Sequence, residues 1–143
     1  MSSPVPEVSI ERLPALQMPL LNKFYKQHRS RMRGSDEHAW VARRQHIVAA
    51  LKLSPVAQGH WLTGLFTDPA QRAQGVASRL VKSVLEAYPG PVWLFCEPAL
   101  TDFYLRLGFV RCQSLPEPLG DRLQRYQHSR RLLALVYPAN TAP

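Results

Sequence analysis

The sequence predicts an α+β domain: a mixed, mostly antiparallel sheet of six to seven strands flanked by about four helices. Three observations carry that prediction. Residues 76–88 hold an amphipathic helical pattern, with Val76, Leu80, Val81, Val84, Leu85 and Tyr88 on one face and Ser78, Arg79, Lys82 and Glu86 on the other. Residues 92–96 (Val-Trp-Leu-Phe-Cys) are apolar without alternation, the pattern of a short strand covered on both faces. With residues 61–67 before the helix they form a strand–helix–strand unit, which needs a right-handed crossover and one locally parallel pair. The remaining strand-like segments are short and joined by polar or Pro-containing turns, which favours antiparallel neighbours. At 143 residues, with no internal repeat, the chain is expected to form one domain over residues 1–143, frayed at 1–6 and 139–143.

Taken in order, Val8-Ser9-Ile10 alternates and reads as a short first strand. Pro19 suits the first turn of a helix, and Leu20, Leu21, Phe24, Tyr25 and His28 follow at helical spacing. Residues 39–42 and 47–53 read as a hairpin across the polar link 43–46, with Ser54-Pro55 closing the second strand. Residues 61–67 form the next strand, stopped by Asp68-Pro69, and Trp40 and Trp61 are expected to pack in the sheet. After the long helix and the 92–96 strand, Leu100, Phe103, Tyr104 and Leu107 mark a second amphipathic helix capped by Gly108. Residues 109–113 and 132–137 are the last two strands, with a short basic helix over 120–131 between them.

Composition narrows the classes of function. Apolar residues make up 45% and charged residues 20%, ordinary for a globular protein, and no apolar run reaches 18 residues. The first six residues have no basic-then-apolar pattern, so no secretory signal is expected. Cys96 and Cys112 have neither metal-binding nor disulfide-framework spacing and are expected to be inert thiols in a cytoplasmic protein, with no metal site. Eighteen Lys and Arg against ten Asp and Glu give a net charge of +8, which attracts polyanions, from nucleic acid to a phosphate-rich cofactor.

The chemistry concentrates in residues 65–78, Leu-Phe-Thr-Asp-Pro-Ala-Gln-Arg-Ala-Gln-Gly-Val-Ala-Ser, where a strand ends, a loop turns and the long helix begins. The first turn of a helix offers N–H groups without internal partners and the positive end of the helix dipole, so a phosphate is held there without a dedicated charged side chain. Gly75 and Ala77 are small enough for close approach of a bulky anion, Arg72 and Gln74 add side-chain donors, and Asp68 suits the cap of the turn.

Arg72-Ala73-Gln74-Gly75-Val76-Ala77 resembles the R/Q-x-x-G-x-G/A motif of the GNAT acetyltransferase superfamily. Phe103-Tyr104-Leu105-Arg106-Leu107-Gly108-Phe109 is similar to that family's F-Y-x-x-x-G-F helix and following strand. The strong resemblance covers residues 61–110, roughly a third of the chain. It implies the GNAT-like acyl-CoA N-acyltransferase fold and transfer of an acetyl group from acetyl-CoA to a primary amine by direct attack on the thioester. It also implies that the amides of Arg72, Ala73, Gln74, Gly75, Val76, Ala77 and Ser78 hold the CoA pyrophosphate. The backbone of Leu65, Phe66 and Thr67 would pair with the pantetheine arm as an added strand, one of its N–H groups facing the developing negative charge. Tyr104 matches the family's general acid, against the alternative of a core tyrosine. The base is left between His60, which is otherwise an exposed loop histidine, and Glu97, where many members carry Asn; Glu37 is a further carboxylate.

Residues 26–33 carry four Lys or Arg and one His, and the family commonly builds one wall of the acceptor site here. Tyr25, Arg29, Arg31 and Arg33 are accordingly read as acceptor-site residues, against the alternative of a solvated helix end, and they suit an acceptor with a carboxylate or phosphate near its amine. Arg122, Arg125, Arg130 and Arg131 form a second basic group. Without a zinc-finger, recognition-helix or RNP-type signature, a small-molecule or peptide amine is preferred over nucleic acid as partner. An RNA- or tRNA-directed protein and a non-catalytic acyl-CoA-binding module remain as rivals. Homodimers are common in the family, so one is possible here by resemblance only.

Overall fold

The structure, a computed structural model, describes residues 8–28, 38–72 and 74–139. The acceptor-site residues Arg29, Arg31 and Arg33, the carboxylate Glu37, the loop residue Ala73 and most of the terminal stretches expected to fray lie outside the described residues. Among the described residues seven strands, β1 (Ser9–Arg12), β2 (His38–Arg43), β3 (Ile47–Val56), β4 (Gly59–Thr67), β5 (Val92–Cys96), β6 (Val110–Arg111) and β7 (Leu133–Tyr137), hydrogen-bond in the order β1-β2-β3-β4-β5-β7-β6. Four α-helices accompany them: α1 (Met18–Gln27), α2 (Val76–Ala87), α3 (Thr101–Arg106) and α4 (Glu117–Gln127). The β4–β5 pair is parallel and the β1–β2, β2–β3, β5–β7 and β6–β7 pairs are antiparallel, the mixed sheet that the order of elements requires.

The chain packs as two compact units, residues 1–53 with 64–84, and residues 54–63 with 85–143. In the first, Leu21, Phe24 and Tyr25 form the buried face of α1 and meet Leu13, Ala39, Val41 and Ala50, with Met18, Ile47 and Phe66 packed alongside. The 21-24-25 spacing is one helical stripe, and Pro19 in the first turn removes an N–H that has no internal partner there. In the same unit Val76, Leu80, Val81 and Val84 form the buried stripe of α2.

The second unit is built on β5, whose residues pair on one side with β7 from Val92↔Tyr137 to Cys96↔Leu133. Trp61, Trp93 and Leu119 form its core with Val56, Phe95, Cys112, Leu115 and Val136 around them. Gly59 opens β4 against Pro91, whose carbonyl accepts the His60 N–H at 2.9 Å. A methyl group on Gly59 would fall on that carbonyl oxygen. Gly59→Ala is therefore expected to destabilise the protein by about 2–3 kcal/mol, seen as a lower urea midpoint. An unchanged midpoint would mean that the backbone at 90–91 shifts without penalty.

Several boundaries differ from the sequence reading. β3 continues through Pro55 to Val56, because a proline ends a strand only where a neighbour needs its N–H. The reversal into β4 falls instead at Ala57-Gln58, with Ala57 at φ 50. His60 lies within β4, half-buried, and is not in a loop. β6 shrinks to Val110–Arg111, because the Phe109 N–H donates to the Tyr104 carbonyl at the end of α3 and its ring is buried. Helix α4 begins at Glu117, ahead of Gly120, with a proline in its first turn presetting the backbone.

Candidate functional site

The loop between β4 and α2 lies wholly in the first unit. Asp68 fixes its start: its N–H donates to the Val48 carbonyl at 2.8 Å, and its carboxylate accepts the Ala70 N–H at 2.9 Å. That carboxylate caps the 3-10 turn Pro69–Gln71, as the Asp-Pro pair predicts. Gly75 then adopts φ 76, the left-handed region, and a Cβ built there would meet nothing within 4 Å. Its carbonyl accepts the Arg79 N–H at 3.1 Å, the first internal bond of α2. The N–H groups of Val76, Ala77 and Ser78 therefore precede the helix's internal ladder. No acidic side chain occupies the first turn to offset the positive dipole end. Val76 is buried and anchors the turn, while Arg72, Gln74 and Gly75 are exposed. The Gln74 side-chain oxygen accepts from Arg44 Nη2 at 3.0 Å, which leaves the amide –NH₂ as the donor end.

Upstream, Gly64 has φ 69 inside β4, and its carbonyl accepts the Tyr25 hydroxyl at 2.8 Å. A left-handed conformation inside a strand is one that glycine adopts without steric cost. Leu65, Phe66 and Thr67 come next and are half-buried. The Phe66 ring meets Phe24 at 5.9 Å and His28 at 5.6 Å, and the Arg72 guanidinium sits 5.6 Å over its centre. Phe66 thus ties α1 to the loop. Tyr25 is buried, which pushes its phenol well above the usual value, and its hydroxyl is spent on Gly64.

The second unit holds the other sequence-predicted residues. Tyr104 on α3 is buried, its ring edge-on to Phe103 and Phe109 at 5.0 and 5.6 Å. Burial, aided by the nearby Cys96, pushes its phenol well above the ordinary range and keeps it protonated. Burial also raises the Cys96 thiol, partly offset by the Thr101 hydroxyl at 4.0 Å. Glu97 follows Cys96 and is exposed, ion-paired with Arg130 at 2.9 Å. His60 packs edge-on against Tyr88 at 4.5 Å. His60 pairs with Val92 at the start of β5, whereas Cys96 ends that strand, about 13 Å further along. The two candidate bases therefore stand at opposite ends of β5, Glu97 on the same side as Cys96. The β4–β5 register spans His60↔Val92 and Trp61↔Trp93.

Part of the second basic group is engaged within this unit. Arg122 lies 4.7 Å over the Trp61 ring and Arg130 holds Glu97, so these cations bind their own protein. Arg79, Lys82 and Arg106 are exposed helix positions. Sequence reasoning missed Gly64 and Arg44. A glycine inside a strand pattern is a recognised sign of irregular backbone and was available for the first; nothing local to Arg44 announces its bond to Gln74. Among the described residues, no group of three or more His, Cys, Asp or Glu is placed to hold a metal ion, and no helix is long and apolar enough to cross a membrane.

Comparison with known proteins follows this geometry. The family model described as an acetyltransferase (GNAT) domain matches residues 35–111, more than half of the chain. No curated protein matches the sequence. Among solved structures, the N-acetylglutamate synthase of Neisseria gonorrhoeae, complexed with coenzyme A and N-acetyl-glutamate, superposes with a TM-score of 0.68 at 15% identity over 91% of this chain. This chain spans only 34% of that synthase. The ribosomal-protein-S18-alanine N-acetyltransferase of Escherichia coli gives a TM-score of 0.69 at 16% identity, covering 96% of this chain and 97% of the other. Arabidopsis thaliana NAA60 in complex with a bisubstrate analogue gives 0.68 at 14% identity, over 95% and 100%. At these identities the likeness establishes the fold.

Proposed function

Because the chain belongs to the GNAT acetyltransferase family, we infer that it moves an acetyl group from acetyl-CoA to a primary amine. The observation that carries this reading is the start of α2. A left-handed Gly75, where an added Cβ would meet no described atom within 4 Å, precedes three first-turn amides, with no acid in the turn and Arg72 and Gln74 exposed beside it. Such a cradle fits a pyrophosphate. The N-acetylglutamate synthase was solved with coenzyme A, and the names N-acetylglutamate synthase and ribosomal-protein-S18-alanine N-acetyltransferase both specify N-acetylation.

Acetyl-CoA, when bound, supplies an activated thioester. The amides at 72–78 would hold its pyrophosphate, and the backbone of Leu65–Thr67 would line its arm. After the left-handed Gly64, a backbone N–H of Leu65–Thr67 would face the negative charge that develops on the carbonyl oxygen. Tyr104, buried on α3, would give its proton to the departing thiolate. Tyr25 would fix β4 at Gly64 from the α1 side through its hydroxyl bond to the Gly64 carbonyl. The ammonium proton of the acceptor would leave to Glu97 or His60, directly or through water, and Glu97 is the one on the Cys96 side of β5.

The test is a calorimetric titration with acetyl-CoA, using CoA and ATP as controls, followed by a thiol-release assay over a panel of primary amines. The expected result is an acetyl-CoA Kd of about 1–100 μM and thiol release that depends on the amine. No binding at about millimolar ligand would remove the reading. Binding without release for any amine would leave a non-catalytic acyl-CoA module.

A further inference from the structure

A cavity of about 690 Å³ opens in the first unit, framed by α1, the turn between β2 and β3, and the loop after β4. The volume is that of a small-molecule site. Its wall is uneven in chemistry. Leu20, Phe24, Ile47 and Val48 supply an apolar surface, while Lys23, Arg43, Arg44 and His46 supply cationic or protonatable groups. Among the described residues Asp68 is the single carboxylate in the lining, and it is committed to capping the Pro69–Gln71 turn with His28 3.9 Å away. Arg43 is partly neutralised by Glu11 at 3.4 Å. Among the described residues neither Lys23 nor Arg44 has a carboxylate partner, so the described lining carries more cationic than anionic groups.

Hydrogen bonding points the same way. Arg44 Nε and Gln71 Oε1 are buried and, among the described residues, hydrogen-bond to no protein atom. A buried guanidinium N–H without an acceptor is costly, and an anion would satisfy it. The Gln71 amide, once turned over, would present its –NH₂ to the same anion. Arg44 is held in place from the other side by Gln74, so its charge is already positioned.

We propose that this cavity binds a small organic anion, an apolar body bearing a carboxylate or phosphate, at a place separate from the amides that begin α2. Lys23 and Arg44 recognise the charged group, and Phe24, Ile47 and Val48 accept the apolar part. The site does not depend on the acetyl-transfer reading, because its ligand would bind whether or not acetyl-CoA does.

Three probes test it by calorimetry on the full chain: phenyl phosphate, phenylacetate and neutral benzyl alcohol. At least one anion should bind with a Kd of about a millimolar or tighter, and benzyl alcohol at least about tenfold more weakly. The better of the two anions tells phosphate from carboxylate. Lys23→Gln with Arg44→Gln should weaken that anion at least about tenfold, and Lys23→Gln alone, at an exposed position, by about threefold or more. Gly75→Asp, which blocks the start of α2, should leave it within about twofold. The proposal is overturned if neither anion binds by about 20 mM, if the alcohol binds equally well, or if the Lys23 and Arg44 variants bind like the parent. Loss of binding in Gly75→Asp would also overturn it, assigning the anion to the helix start.

Discussion

A Gly75→Asp variant is expected to bind acetyl-CoA at least about a hundredfold more weakly than the parent chain, a loss of roughly 3 kcal/mol. Two effects add. The new carboxylate would stand at the helix start, where it repels the pyrophosphate and occupies the positive dipole end in its place. The side chain also forces a non-glycine residue into φ 76, which costs about 1–2 kcal/mol in an L-residue, somewhat less for Asp. Gly75→Ala separates the two, since it carries the backbone penalty without the charge and should weaken binding by about tenfold or less. Open space around the position argues that both variants fold. Equal acetyl-CoA affinity in the parent and Gly75→Asp would show that the pyrophosphate is held elsewhere.

The second large effect is expected at Tyr104. Tyr104→Phe keeps the ring against Phe103 and Phe109 and removes the hydroxyl alone. If the phenol protonates the leaving thiolate, kcat should fall by about 10²–10⁴-fold with acetyl-CoA affinity nearly unchanged. The pH profile gives an independent reading. Burial raises the folded pKa of this phenol, so its protonated form persists past the free value, and turnover should show no loss from its ionisation below about pH 10. The same sign holds for stability. The contribution of a raised pKa is intact below the unfolded value and is lost as pH climbs beyond it, so Tyr25 and Tyr104 both weaken the fold only in strong alkali. Unchanged kcat in Tyr104→Phe, with a lower melting temperature, would make Tyr104 a core residue.

Much of the fold is written in local pattern. The stripe Val76, Leu80, Val81, Val84 is read directly as a buried helix face, and the uninterrupted run Val92–Cys96 is read directly as an inner strand. Both depend on which residues recur at 3.6 or fail to alternate at 2, a property of neighbours along the chain. The Asp68 cap and the open Gly75 are equally local, because a turn is specified by the few residues that make it. Element ends were less legible. Phe109 has strand propensity, yet its amide goes to Tyr104 and its ring packs between Tyr104 and Tyr137, so the strand starts one residue later.

The candidate site divides along the same line. From sequence alone came the fold class, the candidate phosphate loop and the proposal of Tyr104 as the acid, since each rests on periodicity or on a short contiguous motif. Tertiary structure alone decided that Tyr25 bonds Gly64 39 residues away, that Arg44 reaches Gln74 across 30 residues, and that Arg130 meets Glu97 across 33. It also decided that His60 and Glu97 stand at opposite ends of β5, and that Lys23, Arg43, Arg44 and His46 converge on one cavity. These facts depend on which strands pair and in what register. That choice is made by the burial of the whole sheet and leaves no trace in the local spacing of any one residue.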